Sequence, residues 1–380
     1  MWLLFPALLL AEISYKGNIG LGYQSFESKH SNEAFVLMEL KKEFDSSQIA
    51  LKLKAIHDEI DTNKRRIDLN ELYYGYYFDD GELYVGKEIK FFGNLESGNI
   101  VDIYNLKDLL YDPFAKEEKI GSLGVRGVYF VGDGKLELIL KLQEEKRELF
   151  GKDSPYNQFG NFNYDKKLDE NSHSILALYS SSYEVGKFSG DYTLFINDGF
   201  DNHRTYYFDG FSMREKLYQA TQYGFFASAI YNDTMFKLEE LYTQNEDNSI
   251  ADYNHIGLGV EHTIYNLLDK SDMRIFVEYF KLYFEKNLSG SDIGEVYDND
   301  IFGGVQLDFN NQNNTTLQLG ILNDMKNSEK IYQLELESRV FETYSFKFNI
   351  KQLKAGDKNN SFISKLGDTR ISTIQFQYNF

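Results

Sequence analysis

The sequence predicts an all-β fold: a transmembrane antiparallel β-barrel of about 18 strands, with 16 as the alternative count. Three observations lead there. Apolar and polar residues alternate with period two from end to end, the mark of strands with two unlike faces. Many alternating runs exceed the roughly 5 to 6 residues of a soluble strand and reach the 9 to 11 that a tilted membrane strand needs. Tight turns and long polar connections also take turns along the chain.

In order, the chain begins with Trp2-Leu3-Leu4-Phe5-Pro6-Ala7-Leu8-Leu9-Leu10-Ala11, which reads as the apolar core of a secretory signal cut after Ala11, although no Lys or Arg precedes it. It is too short for a membrane helix. Residues 12–380 are then one barrel domain. Strands are expected at 13–26, 31–44, 47–59, 67–78 and 82–90. In the second, Ala34, Val36, Met38 and Leu40 alternate with Glu39 and Lys41. In the third, Ile49, Leu51, Leu53 and Ala55 alternate with Lys52 and Lys54. The strands at 122–131 and 134–143 follow, the latter with Leu136, Leu138, Leu140 and Leu142 against Glu137, Lys141 and Gln143. Next come 172–183, 188–198, 214–231, 234–244, 251–266, 271–284, 299–310 and 314–323. The last three, at 330–341, 343–354 and 368–380, include Tyr332, Leu334 and Leu336 against Glu335 and Glu337, then Phe346 and Phe348 against Lys347 and Asn349.

The connections check this count independently. Long polar segments (91–121, 144–171, 199–213, 285–298, 355–367) follow odd-numbered strands. The tight turns Asp45-Ser46, Asp79-Asp80-Gly81, Gly132-Asp133, Asn232-Asp233 and Glu342 follow even-numbered ones. A membrane barrel with short turns on one rim and long loops on the other sorts this way. Aromatic side chains, 31 Phe and 29 Tyr, then have a place in interfacial girdles, where Tyr73, Tyr74, Tyr76, Tyr77, Phe78, Phe280, Tyr283 and Phe284 are expected.

Charge and composition narrow the function. A net charge of −19 repels a phosphate backbone, so nucleic acid is not an expected partner. With no cysteine, disulfides, thiolate metal sites and cysteine nucleophiles are excluded. The six histidines (His30, His57, His173, His203, His255, His262) form no metal-binding spacing, and His173-Ser174 is an adjacency without a surrounding hydrolase pattern. No cofactor, metal or catalytic residue is therefore expected. Asp292, Glu295, Asp298 and Asp300 read as a solvated face, with weak divalent-ion binding as the alternative. Segment 151–163 reads as exposed loop.

The connection 91–121 is long enough to suggest a function. Its apolar Ile100, Val101, Ile103, Leu106, Leu109 and Leu110 need something to pack against, and Asn105 and Asp108 read as caps of a short helix ended by Pro113. The inner barrel wall is the simplest partner; a surface lid or subunit contact is the alternative. Folded inward, the loop would narrow a pore with Glu96, Asp102, Asn105, Lys107 and Asp108. Lys52, Lys54, Glu137, Lys141, Glu335, Arg339 and Lys347 would line its wall.

Two resemblances support this reading. Ile374, Phe376, Tyr378 and the terminal Phe380, alternating with Gln375, Gln377 and Asn379, resemble the closing strand of Gram-negative outer-membrane barrels, which implies recognition by the barrel-assembly machinery. The stretch Val85-Gly86-Lys87 through Phe92-Gly93 to Asn105-Leu106-Lys107-Asp108-Leu109 resembles a signature of porin-like outer-membrane proteins of poorly defined substrate. There Lys87, Phe92 and Leu106 stand where Arg, Trp and Pro are usual. The implied protein is an outer-membrane porin in contact with lipid and lipopolysaccharide, passing small hydrophilic solutes or ions with a preference for cations, and a homotrimer is one compatible assembly. A surface adhesin or structural barrel with a blocked lumen is the rival, and an outer-membrane lipolytic enzyme is third.

Overall fold

The computed structural model describes residues 13–27, 29–157, 162–163, 172–208, 213–268, 270–286, 297–356 and 361–380. The expected signal at 1–11 and the acidic residues Asp292 and Glu295 lie outside the described residues. Eighteen strands form one closed antiparallel sheet. They are β1 (Ile13–Phe26), β2 (Lys29–Phe44), β3 (Ser47–Asp58), β4 (Arg66–Phe78), β5 (Gly81–Glu88), β6 (Ser122–Val131), β7 (Gly134–Lys141), β8 (Ser174–Val185) and β9 (Phe188–Phe200). The circuit continues through β10 (Gln219–Tyr231), β11 (Thr234–Asn245), β12 (Tyr253–Leu268), β13 (Ser271–Phe284), β14 (Asn299–Asp308), β15 (Thr316–Asp324), β16 (Lys330–Val340), β17 (Tyr344–Lys354) and β18 (Arg370–Asn379). Each pairs with its neighbours in sequence. β18 returns to β1 with Asn379 opposite Asn18 and Ile371 opposite Phe26, and Phe380 exchanges backbone hydrogen bonds of 2.9 and 3.0 Å with Gly17.

Closure follows from the solvent the outer surface is made for. On β7, Leu136 and Leu138 are 49% and 57% exposed, while the intervening Glu137 is 6% exposed. The polarity is the reverse of a soluble sheet, with greasy side chains outside and charge inside. Hydrocarbon offers no partner for an open edge, so such a wall survives only as a barrel. The tight turns suit this: Gly132 and Asn232 take φ of 57° and 51°, the left-handed region that two-residue hairpins use.

Strict alternation also corrects the girdle. Tyr74, Tyr76, Phe78 and Tyr283 are exposed on the outer face, whereas Tyr73, Tyr77, Phe280 and Phe284 fall on the inner one, Phe280 being fully buried. Consecutive strand residues point to opposite faces, so a run of aromatics is split between them. A bulge between β3 and β4 near Lys52 and Leu53 inserts one residue and lets both Leu69 and Leu72 face outward.

Three further expectations change. The strand expected at 214–231 is broken: Gln219–Tyr231 belongs to the wall, while Met213–Lys216 pairs with Thr205–Phe208 and Phe162–Asn163 in a small separate sheet. Residues 151–157 are not an exposed loop, because Gly151, Ser154 and Tyr156 are buried and the Tyr156 ring meets Phe26 edge-on at 4.6 Å; an aromatic of that size is not left in water. The 91–121 segment contains no helix. The side chains expected to cap it are committed to other backbone and charged groups.

Candidate functional site

Asn105 organises the segment. Its Oδ1 accepts from the Lys90 N–H at 2.6 Å, and its Nδ2 lies within hydrogen-bond distance of Glu88 O (3.0 Å), Ile120 O (3.2 Å) and Ser122 Oγ (2.9 Å). One amide thus ties together both stems where the chain leaves β5 and enters β6. A short ladder continues from it, with Ile120 N donating to Leu106 O, Asp108 N to Glu118 O, and Lys107 opposite Lys119.

Beyond this hub the segment lies against inward-facing residues on many strands. Asp108 pairs with Arg66 on β4, Glu118 with Lys54 on β3 at 2.6 Å, and Asp112 with Lys351 on β17. Lys141 on β7 donates to Tyr104 O at 3.0 Å, and Gln375 on β18 reaches the Tyr111 hydroxyl at 3.1 Å. Glu96 meets Lys237 on β11 at 3.1 Å and Arg274 on β13 at 3.5 Å. Ile100, Val101, Ile103, Leu106 and Leu110 are buried, and the Phe92 ring lies near Phe195 and Phe226.

The electrostatics of the segment follow from burial. Lys119 and Asp102 form an ion pair inside it. Burial pushes the Asp102 carboxyl above its ordinary value despite that ammonium, and pushes Lys119 below its own. For Asp112 burial also pushes upward, but the Lys351 ammonium and the Phe114 N–H outweigh it and hold the carboxyl below the usual range.

The residues expected to narrow a pore therefore occupy different environments. Asp102 and Asp108 have side chains only 9% exposed, and Asn105 is buried. Glu96 and Lys107 are partly exposed. Glu117, which sequence reasoning did not single out, is the exposed member of the 116–118 run. Among the expected wall residues, Lys52, Lys54, Glu335, Arg339 and Lys347 face inward by register. Lys52 joins Glu39 and Lys16 in a row with contacts of 3.1 and 2.7 Å, and Lys347 pairs with Glu335 at 3.0 Å. Glu137 and Lys141 also face inward, and like Lys54, which holds Glu118, they are engaged by the connection: Glu137 pairs with Lys90 at its stem, and Lys141 donates to Tyr104 O as well as pairing with Glu144 at 2.8 Å.

Solved structures share this arrangement of strands. Pseudomonas aeruginosa OccK3 (OpdO) superposes with a TM-score of 0.58 at 10% identity, over 100% of this chain and 99% of that one. OccK11 (OpdR) of the same organism gives 0.56 at 8% identity over 97% and 95% of the two chains. OccK10 (OpdN) gives 0.55 at 8% over 97% and 99%. These are outer-membrane β-barrel porins of Gram-negative bacteria. The chain has their barrel fold. No family model and no curated protein matches it.

Within that fold two further groups were missed or misread from sequence. Asp300 is not solvated: it faces inward, fully buried, opposite Asp324. Asp298, Asp300 and Asp324 bring carboxylate oxygens within 4.8 Å of one another, with Lys326 on Asp298 and the Lys326 and Asn327 N–H groups on Asp324. Their inward parity is legible only once the register of β14 and β15 is known. Glu239 and Glu278, inward on β11 and β13, were also missed, although the Gly257-Leu258-Gly259 pattern between them is the kind that marks close approach of another backbone.

Proposed function

We propose that the protein is a passive outer-membrane channel for small hydrophilic solutes or ions, narrowed by the 91–121 segment and preferring cations. One observation carries the reading. The segment packs along β5 to β13 and also reaches Lys54 on β3, Arg66 on β4, Lys351 on β17 and Gln375 on β18, while β14 to β17 and β1 to β3 add inward polar side chains that include Lys16, Lys52, Gln306, Gln318, Glu335 and Lys347. A hydrated stripe beside a packed loop is what a selective pore needs, and barrels of 16 to 18 strands are wide enough to hold one. The acidic excess favours cations by raising their concentration near the mouth. Insertion is expected through the assembly machinery acting on β18, whose Ile374, Phe376 and Tyr378 are exposed on the outer face, as is Phe380 just after it. No reaction is proposed.

Reconstitution into a planar bilayer tests this directly. Discrete single-channel steps with a reversal potential on the cation side support the reading. A barrel that inserts but carries no current favours the adhesin or structural role, and current selective for anions overturns the charge preference.

A further inference from the structure

The tip of the inserted segment, residues 93–101, is held differently from the rest. Asp108, Asp112 and Glu118 meet wall bases, as Glu96 does within the tip, but at the tip two wall carboxylates also receive backbone amides. Glu239 Oε1 accepts from Asn94 N (2.6 Å) and Leu95 N (3.0 Å), and its Oε2 from Ile100 N (2.9 Å). Glu278 accepts from the N–H groups of Glu96 and Ser97 and from the Ser97 hydroxyl, the last at 2.6 Å. Both carboxylates are essentially buried, at 0% and 1% exposed. Gly93, at φ 96°, makes the bend that aims two successive amides at one oxygen.

Between the two acids β12 supplies a floor. Gly257 stands opposite Glu239 and Gly259 opposite Glu278 in the register. A Cβ at either glycine would come within 2.6 or 2.7 Å of a Leu95 methyl, so Leu95 seats where the wall has no side chain.

We propose that Glu239 and Glu278 are positioning residues of the pore: they seat the 93–101 tip on the Gly257/Gly259 floor and so set the width of the lumen without touching the solute. This rests on the channel reading. The chemistry requires a carboxylate. Five amides and a hydroxyl converge on four acceptor oxygens, and ionised acceptors make the stronger bonds. Glutamine keeps the shape but turns an NH2 toward one of the amides, setting donor against donor.

The absence of cysteine makes the seating measurable. In a Leu95→Cys/Gly257→Cys protein the missing leucine methyls leave room for the new side chain on the floor, and mild oxidation should cross-link tip to wall. Adding Glu239→Gln and Glu278→Gln should slow cross-linking about tenfold, in keeping with the loss of charge-assisted bonds. In the same barrels conductance should rise or flicker, and closing the cross-link should return it to the parent level, a rescue that a merely structural role would not produce. If the double variant fails to assemble, as judged by heat-modifiable gel mobility, Glu278→Gln alone is read by the same cross-link. An unchanged cross-linking rate overturns the proposal. A parent that passes no current while its cross-link still depends on the two acids upholds the seating and overturns the channel reading.

Discussion

Neutralising Asp102 should loosen the inserted segment far more than it alters ion selectivity. The Asp102 side chain is 9% exposed and its partner Lys119 only 4%, so Asp102→Asn strands a buried ammonium. Breaking a buried pair from one side costs about 3 to 5 kcal/mol. The lower end applies here, because burial already holds Asp102 up and Lys119 down, and because Lys119 Nζ keeps its bond to Lys90 O at 2.7 Å. A cost of about 3 kcal/mol corresponds to roughly a hundredfold shift in a local opening equilibrium. Hydrogen exchange of amides 103–120 in detergent should therefore speed up by about that factor, while the barrel strands exchange as before. Asp108→Asn should do the same more weakly, about 2 kcal/mol, since Arg66 keeps Asp68 at 2.8 Å. Reversal potentials should barely move in either variant unless the segment swings out of place. A variant that exchanges like the parent yet changes ion selectivity would refute the reasoning and put the Asp102 carboxylate in the solute path.

Three other outcomes are expected. Replacing residues 95–115 by a short Gly/Ser link should leave the barrel assembled, by heat-modifiable mobility, and increase single-channel conductance; unchanged conductance would place the constriction in the wall. In a salt gradient the cation preference should weaken as ionic strength rises and the Debye length shrinks to about 3 Å at 1 M; a salt-independent preference would locate its source in buried groups. Outside the wall, Arg147 and Arg204 meet Glu215 at 2.6 and 2.8 Å; burial alone would push its carboxyl up, but the two guanidiniums hold it below the ordinary 4.5. A depressed folded value means this network stabilises fully above pH 4.5 and is lost as pH falls through the lower folded value. Protection of residues 201–204 and 214–218 against exchange should fall in that acid window, and Glu215→Gln should abolish the pH dependence.

What the sequence determined by itself is local. Period-two alternation does not depend on what a strand pairs with, so Leu136 to Leu142 announce their faces from within one segment, and the turn chemistry at Gly132 and Asn232 acts over two residues. Hairpin order and the inward parity of Lys52, Lys347 and Glu335 follow from those facts, whereas the choice of 18 strands over 16 was made by the closed sheet. The split of Tyr73 through Phe78 between two faces was implied by the same rule. The tertiary structure decided the fate of 91–121. Its partners are distant in sequence: Asn94 and Glu239 are 145 residues apart, Asp112 and Lys351 239. No period relates them, and they become neighbours only when closure brings β3, β11 and β17 around one interior. Asn105 and Asp108 carry the residue types of a helix cap, and an isolated segment would use them so. Inside the barrel, two stems to join and the Arg66 guanidinium to neutralise compete for those side chains, and buried polar groups go to the partners that leave fewest unsatisfied.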